Sequence, residues 1–401
     1  MKKFLVILLL AITLTGCRSS STASMDDLKT WEDVVSLGED KTVTILMWGG
    51  NESINQYMDG FVSDALKEKY GITLNRVPMN APEYLSKLLN EKKSGLDVGT
   101  ADLVWINAEN FRTAKEGGLL VGPLTDLLPN LENYYDKNAS DLNYDSGILI
   151  EGYEAIWGRA QLVFSAHHEG PKSYEEFLNY AKANPGRLTY SRLPDDFAGV
   201  AFVRNAYYEI LGDKEIFQED MTRQEFEVLS EPVLDYFEEL APLLWNEGQT
   251  YPATQAQLDE LFRNGEVDLT MGFEIGKTAG LIESGVYDES VVSFVFDTGT
   301  IGNSHYLAIP FNAPEKAAAM LTIDFLQSPK AQIEKMKSSV WGDMPAFDVT
   351  KVDSDILNAL AEIENQPGML SLEALTSKRN PEMRADYIDW IKELWIERMA
   401  N

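Results

Sequence analysis

Between Thr42 and Asn107 the sequence switches repeatedly between strand-like and helix-like periodicity, and this alternation limits the fold more than any other feature. Thr42–Trp48 is a short β-rich run, after which Ile54, Tyr57, Met58, Phe61, Val62, Ala65 and Leu66 recur at helical spacing up to a stop at Tyr70-Gly71. Ile72–Val77 reads as a second strand, Glu83–Lys93 as a helix with Tyr84, Leu85, Leu88 and Leu89 inward, and Ala101–Asn107 as a third strand. A βαβαβ series needs crossover connections, which are right-handed, so it implies a parallel, doubly wound sheet. Ligands of such sheets lie beyond the carboxyl ends of the strands. Here those ends are Trp48-Gly49-Gly50-Asn51 and Trp105-Ile106-Asn107-Ala108-Glu109-Asn110.

An Asn-, Asp- and Tyr-rich connection spans Asn130–Asp145, and Ala155–Ser165 returns to strand. A second α/β set follows, with helices at Tyr174–Ala183, Ala198–Leu211, Arg223–Leu240 and Thr254–Asn264. Its strands are expected at Leu188–Ser191, Val267–Met271 and Val291–Phe296. A loop at Asp297–Asn303 then leads into a strand at His305–Pro310 and a helix at Pro314–Gln327. Two α/β lobes crossed more than once by the chain suggest a cleft that opens and shuts. The expected division is a first lobe over 41–155, a second over 156–296, and a return to the first with C-terminal helices over 297–401.

The N-terminal segment places the protein. Lys2 and Lys3 precede an apolar run from Phe4 to Ile12, shorter than a membrane span, that ends in Leu14-Thr15-Gly16-Cys17. This is the pattern of a bacterial lipoprotein signal over 1–16, with Cys17 as the lipidated residue. Cys17 is the only cysteine, so the chain has no disulfide framework and no cysteine metal site. Polar residues from Arg18 to Ser24 begin a flexible tether, taken to extend over 17–40. The expected location is the cell envelope, lipid-anchored on the extracytoplasmic side. With 64 Asp and Glu against 34 Lys and Arg, the net charge of −30 argues against nucleic acid as a partner. The same acidity suits either a cationic solute or simply a solvated surface.

The chain resembles the solute-binding lipoproteins of bacterial ABC importers, with the nearest likeness to a thiamine-type subgroup. The segments that carry the resemblance are Trp48-Gly49-Gly50, Leu103–Phe111, Trp157-Gly158-Arg159-Ala160-Gln161, Asp195–Gly199 and Thr300–Tyr306, and it extends from Lys41 to about Phe347. The resemblance implies a type II periplasmic-binding-protein fold and capture of a small molecule, thiamine-like or another small cation, between two lobes. It also implies delivery to a permease driven by a separate ATPase. A monomer without cofactor or metal is expected. Sugar, polyamine, ferric-ion and oxyanion ligands remain alternatives within the same fold.

Each candidate ligand-binding residue carries a second, structural reading. Trp48, beside Gly49, Gly50 and Asn51, can stack on a flat or cationic group, or pack over a tight turn. Asn107 and Glu109 follow the third strand, where polar groups can meet a ligand or cap a helix. Trp157 and Arg159 lie at the expected crossing between lobes; Arg159 can pair with a ligand anion or with a protein carboxylate. Asp196 and Phe197 precede a helix whose free N–H groups suit an anion, while Asp196 itself suits a cation. Asn303 and Tyr306, with His305, follow the glycine-flanked loop of the second crossing. Trp341-Gly342-Asp343 is either a further aromatic wall or core.

Gly272–Thr278 looks like a phosphate loop but has three residues between its glycines where that loop has four. The pairs Tyr207-Tyr208 and Tyr134-Tyr135 resemble paired iron-binding phenolates, although one member of a helical pair would ordinarily face the core. An exported hydrolase is the rival class. The chain has no Gly-x-Ser-x-Gly elbow and only three histidines, although carboxylates for a glycosidase are abundant. A sensor or adhesin subunit using the same fold is a third class.

Overall fold

The structure is a computed structural model that describes residues 24–399, so the expected signal and Cys17 lie outside the described residues. Trp31–Gly38, expected within the tether, is a helix. Thr30 and Asp33 form a reciprocal capping box at its start, Val34 is fully buried, and Gly38 packs against Ala317 and Leu321. Folded structure therefore begins well before residue 40.

The first sheet contains β1 (Thr42–Met47), β2 (Thr73–Pro78), β3 (Leu103–Ile106), β4 (Ala155–Gln161), β8 (Thr300–Ala308) and β9 (Arg379–Asn380). Its order is β9-β8-β3-β1-β2, with β4 paired to β8. β1 runs parallel to β2 and to β3, as a βαβαβ series requires, whereas β8 returns antiparallel to both β3 and β4. β8 begins at Thr300, inside the expected loop, because Gly302–Ser304 pair with Arg159–Gln161 of β4.

The second sheet is β6-β5-β7, formed by β5 (Val163–His167), β6 (Leu269–Gly272) and β7 (Val291–Phe294), with both outer strands antiparallel to β5. The second lobe is thus α/β, as expected, around an antiparallel sheet. Leu188–Ser191 is not a strand. Its neighbours along the chain are loops, and the Trp245 N–H donates to the Leu188 carbonyl in place of a ladder.

Two apolar cores underlie the two lobes. The first gathers Ile45, Leu103, Ile106, Trp157, Leu307 and Leu321; the second gathers Phe164, Phe202, Phe237, Leu269 and Phe296. The C-terminal helix Ala385–Met399, expected to follow the return to the first lobe, joins the second core. Ile391 and Trp395 are buried there, and Trp395 Nε1 donates to the Tyr190 hydroxyl at 3.2 Å. The chain therefore passes between the cores near Gln161, Gly302 and Pro381.

Candidate binding cleft

The loop after β1 carries Trp48, 47% exposed. Its indole lies over Gly50, where a Cβ would come within 2.4 Å of the ring, and Gly49 fits against Pro78. The glycine pair thus makes room for a protein side chain. Asn51 caps the helix Glu52–Tyr57 by accepting from the Ser53 and Ile54 N–H groups, and its Nδ2 donates to Glu274 Oε1 at 3.4 Å.

Glu274 stands just past β6 on the second lobe, and its other oxygen accepts from Gln255 Nε2 at 3.2 Å. Asp196 holds the neighbouring loops: its carboxylate accepts from the Ala198, Gly199 and Gln255 N–H groups and from the Ser191 hydroxyl. With both oxygens engaged and the helix N-terminus already capped, Asp196 organises the site without a free carboxylate for a cation. Phe197, 50% exposed, lies 4.8 Å from Phe273, ring to ring. The Asn51–Glu274 contact thus joins the loop after β1, which also carries Trp48, to the loop after β6, which also carries Phe273 and through it meets Phe197.

A second polar chain crosses at the hinge. Asn107 Nδ2 donates to Asn303 Oδ1 at 3.4 Å, and Asn303 Nδ2 donates to Glu382 Oε2 at 3.1 Å; Glu382 also pairs with buried Arg204. Glu109 is half-buried in the first turn of the helix Ala108–Glu116. Ala108 starts that helix in the left-handed region, at φ 50°, and its N–H is taken by Asp145. Burial pushes the Asp145 carboxyl up to about 7.

Arg159 adopts its structural alternative. Its Nε and Nη2 bind Asp141 at 2.7 and 2.8 Å. Burial opposes ionisation of Asp141, but the Arg159 guanidinium, helped by Arg379, outweighs it and holds the carboxyl well below its usual range. Tyr306 is buried and donates to the Asp141 carbonyl at 2.8 Å.

Trp157 is fully buried and lies outside the cleft wall. Its ring packs on Trp105 at 5.4 Å and Trp341 at 5.5 Å, because β4 sits beside β8 in the sheet and the 341–343 loop closes over it. Trp341 is likewise core. Beneath these rings Lys335, with no exposed surface, pairs with Asp343 at 2.7 Å, and His305 Nε2 lies 3.1 Å from the other Asp343 oxygen. The tyrosine pairs are structural too. Tyr207 stacks on Phe226, while the Tyr208 and Tyr135 hydroxyls donate to the carbonyls of Pro381 and Gln327.

Glu274, Gln255, Phe273, Arg204, Glu382 and Asp145 complete this geometry, and none of them was a candidate from sequence. Glu274 carried a usable signal, a polar residue directly after a strand, but its glycine-rich surroundings drew attention to phosphate binding instead.

This architecture is that of a two-lobed binding protein of the type II periplasmic kind. The chain belongs to the bacterial extracellular solute-binding proteins, whose family pattern matches residues 62–364. Protein YnjB of Escherichia coli (strain K12) is 33% identical to it over 379 residues, 92% of this chain and 94% of that protein. Among solved structures, an ABC transporter from Clostridium perfringens ATCC 13124 superimposes with a TM-score of 0.63 at 15% identity, covering 89% of this chain and 98% of its own. The spermidine/putrescine ABC transporter substrate-binding protein PotD from Streptococcus pneumoniae gives a TM-score of 0.62 at 13% identity, covering 90% and 99%. At these identities the structural likeness shows the fold. Membership makes this an extracellular protein whose role is to bind a solute. Among the described residues, no helix is long and apolar enough to cross a membrane.

Proposed function

We propose that this protein captures a flat, cationic small molecule, thiamine-like in combining a ring with positive charge, between Trp48 and Phe197. The observation that carries this reading is the Glu274 carboxylate. It follows Phe273, which meets exposed Phe197, its hydrogen bonds come from the neutral amides of Asn51 and Gln255, and it forms no ion pair among the described residues. A carboxylate in that state gains most from an incoming cation, and aromatic faces attract the same charge through their quadrupole. By contrast, the charges of Asp141 and Glu382 are already answered by arginines.

In this reading 25–160 and 302–380 form one lobe, 161–301 and 381–399 the other, and the ligand replaces the Asn51–Glu274 contact as the lobes close. The protein works as a monomer, anchored by lipid on Cys17, and hands the molecule to its permease. Mass spectrometry of small molecules released from natively purified protein tests this: a cationic ring compound, recovered chemically unaltered, is expected. A neutral sugar, or a ligand converted on incubation, would overturn the proposal.

A further inference from the structure

Beside the Asn107–Asn303–Glu382 chain is a cavity of about 240 Å³ that shares no residue with the Trp48–Glu274–Phe197 group. Asp141, Arg159 and Arg379 line it together with Asn303, Glu382 and Asp145. A tally of their donors and acceptors indicates what it can hold. Asp141 accepts from two Arg159 nitrogens and from the Ser304 hydroxyl. Glu382 accepts from Arg204, the Met383 N–H and Asn303, and Asp145 accepts from the Ala108 N–H and the Ser146 hydroxyl. Every lining carboxylate is thus engaged on both oxygens or by a guanidinium fork, leaving a cation little to coordinate.

Arg379 is different. Its Nη2 donates to the Asn303 carbonyl at 2.9 Å and to the Ser304 hydroxyl at 3.2 Å. Its Nη1 stays 3.8 Å from the nearest Asp141 oxygen, beyond hydrogen-bond reach, and its Nε is buried without a partner. Arg159 and Arg204 each have a carboxylate bonded to them, whereas Arg379 feels Asp141 and Glu382 without a hydrogen bond to either. The guanidinium lies directly on Gly302 of β8, where a Cβ would come within 2.2 Å of Nε. A cavity whose unmet capacity is cationic N–H donors, on a planar fork, suits a small oxyanion.

We propose that this cavity is a second ligand site, which takes a small oxyanion, carboxylate or phosphate, on the Arg379 guanidinium. Burial, which raises the Asp145 carboxyl to about 7, lessens its repulsion of the same occupant. Residues from β4, β8 and the 376–382 segment line the cavity, and Gln218 joins them from the second lobe. An occupant therefore touches residues of both lobes at the hinge.

The test is a thermal-shift and calorimetric titration of the full chain with inorganic phosphate and, separately, succinate, with ionic strength held constant by sodium chloride. A saturable rise in melting temperature with one of these anions is expected, and the preferred anion distinguishes phosphate from carboxylate. Arg379→Gln should weaken binding at least about tenfold. In case that variant folds poorly, Thr376→Glu places a competing carboxylate at the cavity wall, with Arg379 intact, and should have the same effect. Glu274→Gln should leave anion binding unchanged, which separates this site from the proposed cleft. Equal effects of phosphate, succinate and chloride on the wild type would overturn the proposal, as would anion binding that survives both cavity variants or is lost in Glu274→Gln.

Discussion

Asn51 and Glu274, 223 residues apart in the chain, meet across the space between the two lobes, with Asn51 Nδ2 donating to Glu274 Oε1 at 3.4 Å. The bond is long and joins a neutral amide to a carboxylate, so a bound cation would compete with it readily. Each partner stands at the end of a strand, Asn51 after β1 and Glu274 after β6, which is where α/β sheets present loops to ligands.

Trp48 is half-exposed beside this contact, so Trp48→Ala should separate binding from folding. Ligand affinity should fall by about 1–3 kcal/mol, as expected for loss of a stacked aromatic, while the melting temperature changes little. Titration calorimetry and thermal unfolding of the same preparation check both halves of the expectation.

Lys335 and Asp343 form a buried pair under Trp157 and Trp341, with Lys335 Nζ 5.3 and 5.2 Å from the two ring centroids. Lys335→Met would leave Asp343 buried with only His305 as a neighbouring cation source. Chemical denaturation should show a loss of about 3–5 kcal/mol.

Asp145 should make stability depend on pH in a defined direction. Its carboxyl titrates near 7 in the folded chain because of burial, with Glu382 and Glu109 adding like charge, against about 3.9 when unfolded. Between about pH 4 and 7 the folded state therefore holds a proton that the unfolded state has released, so this contribution falls as pH rises through that window. Asp145→Asn should remove that slope, by up to about 1.4 kcal/mol per pH unit, when urea unfolding is compared across the range.

Cys17→Ser should abolish incorporation of labelled palmitate in cells while leaving the thermal unfolding of the purified chain unchanged, because the two apolar cores are built without it. Equal labelling of both proteins would remove the anchor from the proposal.

The β1–β3 part of the first sheet was legible in the sequence because its signals are local. The switch of period between Thr42 and Asn107 needs no distant partner. The helix Trp31–Gly38 has a local signal too, the Thr30–Asp33 capping box, but it follows directly on a polar stretch with the composition of a tether. Leu188–Ser191 has the composition of a strand, but whether such a segment pairs is decided by what lies alongside it. The roles of Trp157 and Glu274 were not legible for the same reason. The burial of Trp157 depends on Trp341, and the position of Glu274 opposite Asn51 follows from the way the lobes face each other.

The central claim is that Glu274 and Trp48 hold a cationic ring compound between the lobes without changing it. Titration calorimetry with thiamine, on the wild type and on Glu274→Gln, tests it most directly. The account predicts one molecule bound per wild-type chain and recovered intact, with affinity reduced by about 1.5–3 kcal/mol in the variant, the loss expected when a charged hydrogen-bond partner is removed. Equal affinity in the two proteins, or no binding by the wild type, would contradict it.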